Sequence, residues 1–114
     1  MSRPDKVLSL LGIAKKAGRV VSGETATENA IKGEKAYLVI VAADASANTK
    51  KHFSDMCKFR GIPYVEYSDK QSLGRAIGTD YRSNIAVNDS GLAASLEEQI
   101  RNTVIERSGI NEST

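Results

Sequence analysis

Gly18, Gly23 and Thr25 have the spacing of a phosphate-binding loop, in which backbone amides cradle a nucleotide and a hydroxyl holds its magnesium. Two features reject that chemistry. Glu24 occupies the place of the lysine that should neutralise the phosphates. Val20 and Val21 read as a strand between two helices, whereas such a loop joins a strand directly to its helix. His52 is the one histidine. In "TKKHF" it has two lysines beside it and no nucleophile–carboxylate pair that it would serve. Cys57 falls at core spacing between Met56 and Lys58. A single cysteine excludes an internal disulfide and a cysteine-based zinc site. No carboxylate pair or His/Asp/Glu group stands at metal-ligand spacing. No catalytic residue, metal or cofactor is expected.

What remains is the start of a helix within "GRVVSGETATENAIKG", where small polar residues replace bulky apolar ones. One reading is structural: Ser22 or Thr25 caps the helix, and Thr25 with Glu28 forms a capping box. The other uses the same physics for binding. Free backbone N–H groups and the positive end of the helix dipole attract a phosphate or a polar base edge. Gly23 lets a bulky partner approach the backbone. Lys15, Lys16, Arg19 and Lys32 surround this start in sequence. A capping group can be shared or displaced, so the readings are compatible.

The elements that must position this start follow from the hydrophobic pattern. Arg3-Pro4-Asp5 opens a first helix, with Pro near its first turn. Val7, Leu8, Leu11 and Ala14 form its stripe, widened by Leu10 and Ile13, and Gly18 ends it. After Val20-Val21 and the second helix, "AYLVIVAAD" is a continuous apolar run, which predicts a strand covered on both faces. A third helix spans roughly Ala47 to Arg60, with Phe53, Met56 and Cys57 inward and Gly61 as its stop. "IPYVEY" is the next strand. Ser68 and Gln71 have capping-box spacing for a fourth helix, whose internal Gly74 implies a close backbone approach. "NIAVND" is the last strand. Asp89 or Ser90 then caps a final helix with Leu92, Leu96, Ile100 and Val104 in one i+4 stripe. The order α-β-α-β-α-β-α-β-α predicts a single-domain three-layer α/β/α sandwich around a mixed sheet of about four strands. The domain is expected over residues 1–107, with a frayed tail at 108–114.

The chain has 114 residues, the size of one domain. Its net charge of +2 is unevenly placed: residues 1–35 and 50–75 each carry +3, residues 36–49 carry −1 and residues 76–114 carry −3. A basic front suits a polyanion on one side. Trp is absent and aromatics are 5%, which argues against a stacking platform for single-stranded RNA. The N-terminal residues resemble neither a signal peptide nor a membrane span. With one cysteine, they point to the cytoplasm.

Four stretches, "LLGIAKKAGRVVSGE", "AYLVIVAADAS", "KFRGIPYVEYSDKQSLGRAIG" and "NIAVND", together resemble the ribosomal L-seven-Ae superfamily, nearest its bacterial YlxQ-like branch. The likeness runs in order from about Leu8 to Leu96, and "SDKQSLGRAIG" is its most specific piece. The resemblance implies an α/β/α sandwich that binds RNA, often a kink-turn. It implies that the start of the second helix, at Gly23, Glu24, Thr25, Ala26 and Asn29, enters the RNA groove. It also implies that the loop Gly78, Thr79, Asp80, Tyr81, Arg82 and Ser83 contacts a protruding nucleotide. Aligned through "AYLVIVAAD", Thr25, Ala26 and Asn29 stand where the archaeal Gly-x-Asn-Glu-x-x-Lys pattern has Asn, Glu and Lys. Ala26 offers no hydrogen bond, and Asn29 removes a phosphate-binding charge.

These features predict a non-catalytic, ribosome- or translation-associated RNA-binding protein, acting as a monomer without a membrane partner. Lys15, Lys16, Arg19, Lys32 and Arg75 would attract phosphates. The Gly23 helix start would dock at a bend, with Tyr81 as a stacking surface. A protein–protein adaptor on the same fold is the alternative. A small-ligand enzyme would need a deep pocket of convergent polar groups, for which the sequence offers no set.

Overall fold

A computed structural model describes residues 5–108, with side chains through Thr103. The backbone follows the predicted order: α1 (Lys6–Lys16), β1 (Val20–Ser22), α2 (Glu24–Lys32), β2 (Leu38–Val41), α3 (Ala47–Arg60), β3 (Tyr64–Glu66), α4 (Lys70–Ala76), β4 (Asn84–Val87) and α5 (Ser90–Ser108). The four strands form one sheet in the order β1-β4-β2-β3. β4 is antiparallel to both β1 and β2, and β3 is parallel to β2, so the sheet is mixed. α2 packs on α3, and these two cover β1 with β4 and β2 with β3 respectively. α1 packs on α4 and α5, and α5 lies against β4. The result is three layers, each helix burying one stripe against the sheet or a neighbouring helix.

The two central strands are buried on both faces. Every residue of β2 and of β4 is buried, which is why β2 reads as an uninterrupted apolar run. Leu38, Val39, Ile40 and Val41 are fully enclosed, each contributing about 1.5–3 kcal/mol of burial.

Local signals set most helix ends. Asp5 caps α1 by accepting from Leu8 N at 3.0 Å. α3 runs over the predicted residues, is capped by Ser46 and stops at Gly61, which is left-handed at φ 69°. Asp89 caps α5 by accepting from Leu92 N at 2.8 Å. Leu96 and Ile100 of the predicted α5 stripe are buried.

Two expectations are corrected. Ile13 is 59% exposed rather than part of the α1 stripe. The buried face is the narrower line Val7, Leu11 and Ala14. α4 is capped by Asp69, not Ser68: Asp69 accepts from Ser72 N at 2.7 Å, while Ser68 takes a positive φ of 63° to turn the chain. The aspartate satisfies the helix amides that a Ser68–Gln71 box would have reached. Arg3 and Pro4, the Val104 side chain and residues 109–114 lie outside the described residues.

Candidate nucleic-acid interface

α2 starts directly after Gly23, and no side chain caps it. The expected Ser22 or Thr25 cap and the Thr25–Glu28 box are not formed, because Gly23 holds the cap position: the helix begins one residue too late for Ser22 and two too early for Thr25. Ser22 Oγ instead accepts from Arg82 Nε at 2.8 Å. Gly23 N donates to Asn84 O at 3.3 Å, and Gly23 O accepts from Thr27 N at 2.9 Å. The N–H groups of Glu24, Thr25 and Ala26 have no residue one turn back to donate to. Gly23 has φ 94° and ψ 155°, a backbone region that essentially only glycine occupies. A Cβ added there would meet nothing within 4 Å, so open space lies over the helix start.

The inner face of α2 is thin. Thr27, Ala30 and Ile31 are its buried residues, which lets the helix lie close on β1 and β4. Thr25 and Asn29, one turn apart, are both exposed, and Ala26 is half-buried. The lack of bulk thus has a partly internal cause: only a narrow stripe of α2 meets the sheet.

The second predicted surface joins the first. The segment from Gly78 to Ser83 turns at Gly78, φ 81°, and runs back beside α4, with Arg82 N donating to Lys70 O at 3.0 Å. This approach is possible because residue 74 has no side chain. A Cβ on Gly74 would overlap the Asp80 carbonyl and come within 3.0 Å of Tyr81 Cα. Arg82 then bridges to Ser22, placing a guanidinium next to the α2 start. Gln71, Arg75, Thr79, Asp80 and Tyr81 line an open cleft of about 180 Å³, and Tyr81 is 64% exposed. Asn84 is nearly buried, donates to Ser83 Oγ at 2.9 Å and leaves Oδ1 without a partner among the described residues.

The remaining cations do not gather at Gly23. β1 pairs Val20 with Val87 and Ser22 with Ile85, so Arg19 and Gly23 flank opposite ends of this strand. Arg19 O accepts from Asn88 N at the far end. The three residues of β1 lie between Arg19 and Gly23, four steps of extended chain or about 13 Å. Lys15 and Lys16 end α1 beside Arg19, and Lys32 ends α2, about 12 Å along the helix from Glu24. All four are exposed. Closeness in sequence suggests one cluster. The strand and helix rise puts Lys15, Lys16, Arg19 and Lys32 toward the other end of β1 and α2, whereas Arg82 is the cation tied to the α2 start through Ser22.

His52 is the other revision. Its sequence neighbours make it look solitary and away from any metal-ligand set. α2–α3 packing brings its Nε2 to 2.6 Å from Glu28 Oε2, with Glu24 beside them. The separation of 24 residues hid this group. Its one trace in the sequence is the i,i+4 pair Glu24–Glu28.

A three-layer sandwich that presents an uncapped helix start beside an arginine-bearing loop defines a small α/β/α binding module. The chain belongs to the Ribosomal protein L7Ae/L30e/S12e/Gadd45 family, whose profile matches residues 5–97. It is similar to the RNA-binding protein YlxQ of Bacillus subtilis (strain 168), with 41% identity over 87 residues, 76% of this chain and 87% of that protein. Among solved structures, one of a protein with unknown function from Bacillus halodurans C superposes with a TM-score of 0.84 at 38% identity. It covers 86% of this chain and 99% of the other. The Giardia lamblia 15.5kD RNA binding protein superposes with a TM-score of 0.70 at 25% identity, over 84% of this chain and 82% of its own. Among the described residues, no helix is long and apolar enough to cross a membrane.

Proposed function

We propose that this protein is a non-catalytic, cytoplasmic RNA-binding protein associated with the ribosome or translation. It docks the start of α2 on a bent or kink-turn-like RNA. The observation that carries the reading is the α2 start itself: no side-chain cap, open space over Gly23, and Arg82 held alongside by Ser22. Main-chain donors that the protein leaves open suit phosphate and base-edge acceptors. The Gly78–Ser83 segment supplies the second contact, with Arg75 and Tyr81 at its cleft. Lys15, Lys16, Arg19 and Lys32 lie too far for the same phosphates and would serve the flanking backbone of a longer RNA helix. The family's ribosomal members and the RNA-binding names of two relatives support the same reading.

The test is a titration with a kink-turn RNA and with the same duplex carrying Watson–Crick pairs in place of its sheared G·A pairs. Tighter binding to the kink-turn is expected, with log K falling steeply against log salt, about 0.7–0.9 per phosphate contacted. Equal affinity for both RNAs rejects bend-specific docking. A salt-insensitive interaction, or none, favours the adaptor. Gly23→Asp is a poor probe because φ 94° would strain any side chain. Thr25→Glu is better: it adds an acid in the first turn, where the dipole tolerates it, and faces the phosphates. RNA affinity should fall by about tenfold or more with the melting temperature unchanged. Normal RNA binding by this variant would mean the docking surface lies elsewhere.

A further inference from the structure

Glu24 and Glu28 are one helical turn apart on α2, and His52 reaches them from α3. One carboxylate oxygen from each Glu and one imidazole nitrogen all lie within 4.8 Å of one another. His52 Nε2 and Glu28 Oε2 are 2.6 Å apart, a hydrogen bond between ring nitrogen and carboxylate. The Glu24 carboxylate has no hydrogen bond or ion pair among the described residues. The lysines adjoining His52 are committed elsewhere: Lys50 to Glu66 at 3.6 Å and Lys51 to Asp55 at 2.9 Å. Two like charges one turn apart repel on a helix surface. Here they are held together with a single imidazole as their counter-group.

We propose that Glu24, Glu28 and His52 form a binding site for a divalent transition-metal ion of the zinc and manganese class. Two carboxylate oxygens and an imidazole nitrogen suit such ions, whereas calcium and magnesium favour all-oxygen sets. Ligand atoms about 2.0–2.2 Å from a tetrahedral ion stand about 3.4 Å apart. The His52–Glu28 pair, at 2.6 Å, is shorter than that value and the whole set lies within 4.8 Å, so small rotations of surface side chains suffice. The packing of α2 on α3 is the fixed frame. On binding, His52 Nε2 and Glu28 Oε2 exchange their mutual hydrogen bond for bonds to the ion, and the neutral imidazole keeps its one N–H on Nδ1. The side chains of His52 and Glu28 are 43% and 23% exposed, and Glu24 is exposed, so the ion has a direct entry path and solvent completes its coordination. The inference concerns the free protein and does not rest on the RNA reading.

Metal-free protein would be titrated with zinc chloride by calorimetry in a non-chelating buffer. A parallel titration with manganese chloride would follow the broadening of backbone amide signals. The expected result is one-to-one saturation, with broadening centred on residues 24–28 and 52. Glu24→Gln and His52→Gln should each weaken zinc by about tenfold or more. Glu24→Gln is decisive, because Glu24 makes no contact that the fold uses. If His52 serves only to pair with Glu28, this variant leaves the titration unaltered. Absence of saturation at millimolar zinc overturns the proposal. So does full affinity in Glu24→Gln, or broadening centred on any other acidic group.

Discussion

Gly74→Ala opposes two rules with one methyl group. By helix propensity alone, Ala inside α4 stabilises by about 1 kcal/mol over Gly. The structure predicts the opposite sign. The new Cβ would overlap the Asp80 carbonyl and lie within 3.0 Å of Tyr81 Cα, and both obstacles are main chain. Neither can rotate away as a side-chain tip would, so the segment from Gly78 to Ser83 must move as a unit. Gly74 is itself buried, and Thr79 N bonds its carbonyl at 2.8 Å, so the movement also strains that link. Overpacking of this kind costs roughly 1–3 kcal/mol, here toward the upper end. After the propensity gain, a net loss of about 2 kcal/mol remains, a melting temperature lower by roughly 8 °C. Calorimetric or circular-dichroism melting reads it directly. An unchanged or raised melting temperature would refute the claim that this helix is held against the loop by the absent side chain. On the functional reading, the displaced loop carries Tyr81 and Arg82, so RNA affinity should drop in the same variant.

Two more outcomes follow from particular side chains. Asp69 accepts from the backbone N–H and then the hydroxyl of Ser72, and these bonds hold its carboxyl below the usual range. The charged cap therefore stabilises fully above the unfolded carboxyl value of about 3.9, and that stability is lost as pH falls through the lower folded value. Asp69→Asn keeps a capping oxygen but does not titrate. Urea midpoints should match wild type near neutrality and fall less between about pH 5 and pH 2; parallel curves would exclude the cap as an acid-sensitive element. Cys57 is fully enclosed, and burial raises its thiol to about 11. At pH near 8 a disulfide reagent should label it only as fast as the protein opens, with the rate rising in step with urea unfolding. Immediate stoichiometric labelling of the native protein would contradict the placement of α3.

Sequence by itself determined the elements and their order, because helix and strand periods, caps and glycine stops are local properties. The run Leu38–Val41 announced a strand buried on both faces, and Gly61 and Asp89 marked helix boundaries that hold. Gly74 even signalled a close approach, though not its partner. Tertiary structure alone decided what meets what. Whether Ser22 caps α2 or receives Arg82, 60 residues later, depends on β1 lying beside β4. The apparent cluster of Lys15, Lys16, Arg19 and Lys32 separated from Gly23 because extended chain and helix carry neighbours in sequence more than 10 Å apart. His52 met Glu28 through α2–α3 packing, a contact no local pattern encodes. Periodicity fixes which face of an element is apolar; the pairing of faces across the sheet fixes which polar groups share a site.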